Sequence, residues 1–427
     1  MNALSSLRTR LPALAALATV LLFLALIARF WHPIYGFTAF FQLDAPNDDL
    51  KIRAFRELPV YVHRDTGGYD GLYYAQIAHD PTLRSAELPR AMDNFSYRAR
   101  RILPPALAWV LGAGEPAWII HSYALINVLA WLALAALLWR LLAVRDGRGW
   151  LLWAGVLFSA GALSSVRLAL TDLTALTLIA AAVLAQETGR RRTGIALLAM
   201  SGLGRETALL ALAGRCERPW ISWRNLRLAV LVAAPLALWL AYIRWRLGPA
   251  DAGWANLAIP GSGLVGKWRE VLAAFSTVND LPLVWTTLLA TLALTVQLVY
   301  IATRPRLDDP WWRIGAAYAG LLLFLGTAVW EGHPGAATRV LLPLQLAFNV
   351  LVHRTRAGLV WLILGNLSVF AGLLAVRDVP RDRAELAAAR LDQLVAIARY
   401  QDGWYNHEQD RKHRWLWTRG EAAVTME

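Results

Sequence analysis

The chain of 427 residues has little charge and one cysteine. Cys216 alone can form no intrachain disulfide and no thiolate metal cluster. Charged residues make up 17% of the sequence, against 57% hydrophobic residues and a mean hydropathy of +0.41. Soluble globular chains carry nearer a quarter charge, so this composition places the chain among polytopic membrane proteins. Lysine is scarce (Lys51, Lys267 and Lys412), and arginine supplies almost all of the net charge of +13. The arginines cluster in short loops between apolar runs, which reads as membrane orientation and anionic-lipid contact rather than nucleic-acid binding. HExxH, P-loop and GxSxG motifs are absent, and the eight histidines show no ligand spacing. The pattern therefore offers no zinc or nucleotide-triphosphate chemistry. There is no internal repeat, low-complexity tract or heptad run.

What is present begins with 21 tryptophans, suited to the wetted ends of many helices. Leu11–Phe30 is an apolar run of spanning length, without a small-residue cleavage site after it, and reads as a retained first span. The one long polar interval follows, residues 31–101. It contains Thr66-Gly67-Gly68-Tyr69-Asp70-Gly71-Leu72-Tyr73-Tyr74 and closes near Asp80-Pro81. Gly67 and Gly68 are expected to permit a sharp approach at positive φ, and Asp70 stands where a helix begins. Asp70 is then either an N-cap or a catalytic carboxylate at the bilayer surface. Arg98 and Arg101 would face one way on a helical turn.

Further along, Trp118–Leu142, Trp150–Val166 and Leu168–Gln186 are expected spans, the last two joined by a tight outer turn with Arg167 and Asp172. Residues 194–214 are long enough to span but are broken at Ser201-Gly202-Leu203-Gly204-Arg205-Glu206-Thr207. A re-entrant hairpin would carry Arg205 and Glu206 to depth inside a protein-lined cavity; a mutual or neighbouring ion pair holding the break together is the plainer reading of those two. Charge counting favours re-entrance. It puts nine arginines inside (Arg215, Arg218, Arg224, Arg227, Arg304, Arg306, Arg313, Arg354, Arg356) against five basic residues outside (Arg244, Arg246, Lys267, Arg269, Arg339). Arg244 and Arg246 dissent. The loop 247–282 holds an expected interfacial helix, Leu264–Phe275, with Trp268 and Leu272 set against Lys267 and Arg269. Residues 1–376 form the membrane domain on this reading, and 377–427 a short outer tail.

Charges inside spans are costly and so are functional candidates. Asp65 and Asp70 face several outer arginines, and arginine's planar fork suits a phosphate. One carboxylate with several arginines at a membrane surface suits a lipid-linked phosphosugar: the carboxylate accepts a proton from an attacking hydroxyl, and the arginines neutralise the departing phosphate. Arg339 read alone is a snorkelling interface residue.

Tyr69-Asp70-Gly71-Leu72-Tyr73-Tyr74 with Ile77-Ala78 resembles the first-outer-loop motif of GT-C-fold integral membrane glycosyltransferases, in particular bacterial relatives of the GPI mannosyltransferase that adds the second mannose. Arg101-Ile102-Leu103-Pro104-Pro105, Leu203-Gly204-Arg205-Glu206-Thr207 and Arg339-Val340-Leu341-Leu342-Pro343 are similar to later motifs of that family, in the same order. The resemblance implies an all-α, GT-C-like bundle of about ten spans plus a re-entrant hairpin in a bacterial inner membrane, its site facing the periplasm. It implies inverting transfer from a polyprenyl-phosphate-sugar donor to a lipid, glycan or protein acceptor. Asp70 and Asp65 would be catalytic; Arg98, Arg101, Arg205, His333 and Arg339 would bind donor phosphate; Tyr73, Tyr74, Glu206 and Glu331 would complete the site. No metal ligand set is assigned. Asp70 lacks an adjacent acidic partner and Val340 stands where the family often has tyrosine, so dependence on a divalent metal stays open. The rival class is a lipid or sugar-phosphate transporter, which also uses broken helices; a third is a non-catalytic subunit of the same fold.

Overall fold

In the computed structural model the described residues are 2–44, 51–63, 67–249, 256–379, 398–400, 408–409, 414–415 and 424–426. Asp65 lies outside them. Two compact units divide the chain, Met1–Asp378 and Val379–Glu427.

The first unit is helical. Its elements are α1 (Asn2–Ala28), α2 (Arg53–Glu57), α3 (Gly71–Ile77), α4 (Phe95–Arg98), α5 (Leu103–Leu111), α6 (Pro116–Leu141), α7 (Gly147–Leu157), α8 (Ala160–Arg167), α9 (Asp172–Glu187) and α10 (Arg191–Gly204). A 3-10 turn, Glu206–Gly214, follows. Then come α11 (Trp223–Leu247), α12 (Ser262–Thr277), α13 (Leu281–Thr303), α14 (Pro310–Phe324), α15 (Thr327–Trp330), α16 (Ala337–Val340), α17 (Leu342–Arg354), α18 (Leu359–Leu364) and α19 (Val369–Ala375). A short parallel pair, β1 (Leu43–Asp44) with β2 (Val62–His63), lies in the first polar interval. The starts are written in the sequence: Asp146, Ser159, Ser222, Asp280 and Asp309 each accept a backbone N–H at a helix N-terminus, and prolines stand in the first turn of α5, α6, α13, α14 and α17.

Among the described residues four helices are long and apolar enough to cross a membrane, α1 from Leu11, α6, α11 and α13; the α7–α8 pair, bent by 44°, makes a fifth if it is one span. The bend falls at Phe158-Ser159, where Ser159 restarts the helix as the cap of α8.

Helix α9 serves as a ruler. Its 16 residues cover about 24 Å, with Asp172 at one end and Glu187 at the other. At the Glu187 end, Arg354 at the close of α17 donates to Glu187 at 2.5 Å, and Trp311 at the start of α14 donates to the same oxygen at 3.3 Å. At the Asp172 end, Asn127 of α6 donates to the carbonyls of Ser165 and Leu170 at 2.9 and 2.6 Å.

The broken segment is a hairpin. Helix α10 runs from Arg191 to Gly204, Arg205 is extended (φ −158°, ψ 131°), and the 3-10 turn comes back. Arg215 then donates from Nη2 to the carbonyl of Arg191 at 3.1 Å, so the segment ends beside its own beginning. Its return leg is held on α14 by Tyr318, which donates to the Thr207 carbonyl at 2.7 Å. A Cβ at Gly194 would stand 2.8 Å from the Ala182 carbonyl, which is why α10 can lie so close to α9.

The interfacial-helix expectation needs correction at one residue. Helix α12 exposes Val265 and Leu272, but Lys267 is 1% exposed. It points inward, donating to the Gly332 carbonyl at 2.5 Å and to Glu270 at 2.9 Å. A lysine four residues after Gly263 falls on the same buried face, and the turn at Gly332 supplies the acceptor that makes its burial tolerable.

In the second unit the described residues form two antiparallel pairs, β3 (Ala398–Tyr400) with β6 (Val424–Met426) and β4 (Glu408–Gln409) with β5 (Arg414–Trp415).

Candidate active site

Asp70 precedes α3 in the position of an N-cap, yet its side chain caps nothing. It turns instead to Arg98, whose Nη1 lies 2.7 Å from Asp70 Oδ2. The capping reading of this carboxylate is thereby replaced by an ion pair. The glycine that matters is Gly71: a Cβ there would stand 2.2 Å from the Leu168 carbonyl and 3.3 Å from that of Phe41. Gly67, expected to provide a positive-φ approach, does not have one, and a Cβ there would meet open space. Gln76 of α3 fixes the loop around it, accepting from Ile52 N at 2.8 Å and donating to the Ala91 carbonyl at 3.2 Å.

Arg98 is shared. It donates from Nη2 and Nε to Asp93 at 2.7 and 3.0 Å, and its guanidinium lies 5.0 Å from the Tyr73 ring centre. Burial works against both charges, but the Arg98 contact outweighs it at Asp93 and holds that carboxyl below its ordinary value. Arg98 is in turn raised: the loss from burial is exceeded by the hydrogen bond to Asp93 and the charge of Asp70.

Three residues on, Arg101 sits under Tyr97, its guanidinium 5.2 Å from that ring centre. It donates to Tyr74 Oη at 2.6 Å, Tyr97 Oη at 3.1 Å and Glu206 Oε2 at 3.3 Å. Glu206 thus pairs with the first loop rather than with its neighbour Arg205. Arg205 reaches Asp172 at the start of α9, and Arg339 of α16 reaches the other oxygen of the same carboxylate at 3.3 Å. Arg339 also donates to Tyr69 Oη at 2.5 Å and lies 5.2 Å from that ring. At 7% exposure it is no snorkelling residue.

Asp70, Arg98, Arg101, Arg205, Glu206, Arg339, Tyr73 and Tyr74 therefore form one connected set drawn from four separated stretches. Tyr69, Asp93, Tyr97 and Asp172 belong to it and were not singled out by the sequence reading as site residues. Asp172 looked like a turn residue, since a Thr-Asp pair before an apolar helix normally caps it. Two of the expected members stand apart. His333 meets Thr287 at 3.3 Å beside Lys267, where burial and the lysine charge keep the imidazole below its ordinary value. Glu331 is exposed.

The set has depth. Side-chain exposure is 28% at Asp70 and 26% at Glu206, falling to 8% at Arg339 and 2% at Asp172. Its four carboxylates (Asp70, Asp93, Asp172, Glu206) alternate with its four guanidinium groups. Among the described residues no three His, Cys, Asp or Glu side chains gather as a metal would require. Arg205 Nε and Thr171 Oγ1, at the deep end, are buried with no partner among the described residues.

No protein family, curated protein or solved structure matches this chain. Function rests on the geometry.

Proposed function

We propose that the chain is a membrane glycosyltransferase that moves a sugar from a polyprenyl-phosphate carrier to an acceptor hydroxyl with inversion. A GT-C-like bundle of about ten spans, set in a bacterial inner membrane with this site facing the periplasm, is the architecture that goes with the reading. The observation that carries it is Asp70: a partly exposed carboxylate, free of helix capping, held through Oδ2 by Arg98. In the proposed step the acceptor oxygen attacks the anomeric carbon and passes its proton to Asp70 Oδ1, while the bond from that carbon to the phosphate oxygen breaks. The electron pair leaves with the phosphate. Each guanidinium has five N–H donors, so pairing with one carboxylate leaves Arg101, Arg205 and Arg339 with hydrogens for phosphate oxygens. Arg205 Nε is such a donor, buried and without a partner among the described residues. Asp70 is the base, Arg98 its holder, Tyr73 and Tyr74 the walls beside it, and Glu206 the counter-charge that keeps Arg101 in place.

The test is transfer of radiolabelled sugar from a polyprenyl-phosphate donor to acceptor in detergent. Asp70→Asn should lower the rate about 10²–10⁴-fold, the usual worth of a general base, with membrane insertion and melting temperature unchanged. Full activity in that variant would remove Asp70 from the mechanism. A wild-type protein that forms no product with any polyprenyl-phosphate sugar would end the reading.

A further inference from the structure

The arginines at the Glu187 end are held differently from those of the candidate site. At the foot of the hairpin Arg215 donates to the Arg191 carbonyl, and its Nη1 is buried without a partner among the described residues. Arg313 donates to the carbonyls of Ala213, Gly214 and Leu307 at 2.9, 2.8 and 2.9 Å. The Trp220 ring meets both Arg218 and Arg313, whose guanidinium carbons are 5.7 and 5.6 Å from its centre. Carbonyls and ring faces satisfy N–H groups but leave the net charge in place. Among the described carboxylates nearby, Glu217 takes Arg224 at 2.5 and 2.8 Å, Asp309 caps α14 and faces Arg354 at 3.8 Å, and Asp308, next to the Leu307 carbonyl, makes no described ion pair with these arginines. Burial, reinforced by the Arg191 charge, pushes the Arg215 guanidinium below its ordinary value.

The surroundings are apolar. Ile221 is 99% exposed and Trp223 65%, and α11, which starts here, has only 17% of its apolar window buried. Unneutralised cations beside an uncovered apolar helix fit a ligand that is anionic at one end and hydrocarbon at the other. We propose that Arg191, Arg215, Arg218 and Arg313 around Trp220 form a seat for the phosphodiester headgroup of an anionic phospholipid, its acyl chains lying along α11. The seat depends on the chain's membrane character and is independent of what reaction the Asp70 site performs.

The experiment uses the full chain in detergent, titrated with short-chain phosphatidylglycerol, short-chain phosphatidylcholine or inorganic phosphate, reading the melting temperature. Phosphatidylglycerol should stabilise saturably and the other two should not. Arg218→Ala, whose described contact is only the Trp220 face, should leave the unliganded melting temperature unchanged and weaken the apparent affinity about fivefold, the worth of one near-surface arginine against an anionic lipid. Adding Arg215→Ala should bring the loss to about 25-fold, while Arg53→Ala, in the first polar interval, should change nothing. Equal stabilisation by phosphatidylcholine overturns the headgroup assignment, and equal stabilisation by inorganic phosphate overturns the lipid one. Wild-type affinity in Arg218→Ala overturns the seat itself.

Discussion

The two ends of α9 solve the problem of an arginine near hydrocarbon in opposite ways. At the Asp172 end every guanidinium of the candidate site meets a carboxylate: Arg98 has two, Arg101 has Glu206, and Arg205 and Arg339 divide Asp172. At the Glu187 end Arg148, Arg215 and Arg313 meet backbone carbonyls instead. Carbonyl contacts suffice where the charge can still reach water or a lipid headgroup. Full burial favours a counter-ion, because an isolated charge in a low-dielectric interior is costly; Arg167, 7% exposed and meeting the Ala39 carbonyl and the Phe30 ring, is the exception at this end. The difference shows which end holds more of its paired charge away from solvent, and charge held there is what the proposed departure of a phosphate would use.

The comparison breaks most readily at Asp172. Asp172→Asn leaves Arg205 and Arg339 facing one another over an uncharged amide, and removing one partner of a buried pair typically costs about 3–5 kcal/mol. The measurement is a denaturation midpoint in detergent. Adding Arg205→Gln to Asp172→Asn should recover part of the loss, since one uncompensated charge then goes. A single Asp172→Asn variant as stable as wild type would show that the arginines at this end do not depend on their carboxylate.

How far was this legible in the sequence? The helical class was, because long apolar runs are local signals: the run Trp118–Leu142 is nearly the observed α6, Pro116–Leu141. The break at Arg205-Glu206 was also readable, since Gly202 and Gly204 just before a charge pair inside an apolar stretch have few other meanings. The partners were not. Arg101 and Glu206 are 105 residues apart and Arg339 and Tyr69 are 270, and no periodicity reports such pairings. Asp172 was passed over because its local pattern is that of an ordinary helix start, and only the fold reveals two arginines converging on it. His333 was included for the opposite reason: it lies six residues before Arg339, but the tight turn at Gly335, where a Cβ would stand 2.5 Å from the Trp330 carbonyl, sends it towards Thr287.

A second break lies inside the site end, where one group is buried without charge. His63 Nε2 lies 3.0 Å from the Ala39 carbonyl, which also accepts from Arg167 at 3.2 Å. Burial lowers the imidazole pKa to about 4; the Arg167 charge acts in the same direction, while the Ala39 hydrogen bond and Asp44 oppose it. The folded value is thus below the unfolded one of about 6.5. Stability is full above pH 6.5 and falls as the pH drops towards 4, because the unfolded chain takes up a proton that the folded one refuses. The loss should reach at most about 3 kcal/mol. His63→Gln should flatten the melting temperature between pH 7 and pH 4.5 relative to wild type, and an unchanged slope would mean that the imidazole is charged in the fold.

Geometry gives a smaller effect. Gly71→Ala places a methyl against the Leu168 carbonyl, and overpacking of this kind costs about 1–3 kcal/mol. Because α3 must shift to accommodate it, Asp70 moves with the helix and transfer should fall more than stability does. Gly67→Ala, in open space, should change either by no more than about 0.5 kcal/mol. Equal effects from the two substitutions would separate Asp70 from the packing beneath it.

The smallest expected effect comes from a carboxylate pair at the opposite end. Arg354 and Glu187 have 33% and 31% of their side chains exposed, and Glu187 also accepts from Trp311. Arg354→Gln leaves a carboxylate that water and an indole N–H can still serve, so the cost should be about 0–1 kcal/mol, as for other partly exposed pairs. It should shrink further in high salt, since exposed charges are screened over about 10 Å at 0.1 M ionic strength. The Asp172 loss should barely respond to salt, its charges being out of reach of ions. A salt-insensitive loss of several kcal/mol on Arg354→Gln would mean that the Glu187 end is as closed as the other, and that the placement of paired and unpaired arginines follows something besides access to water.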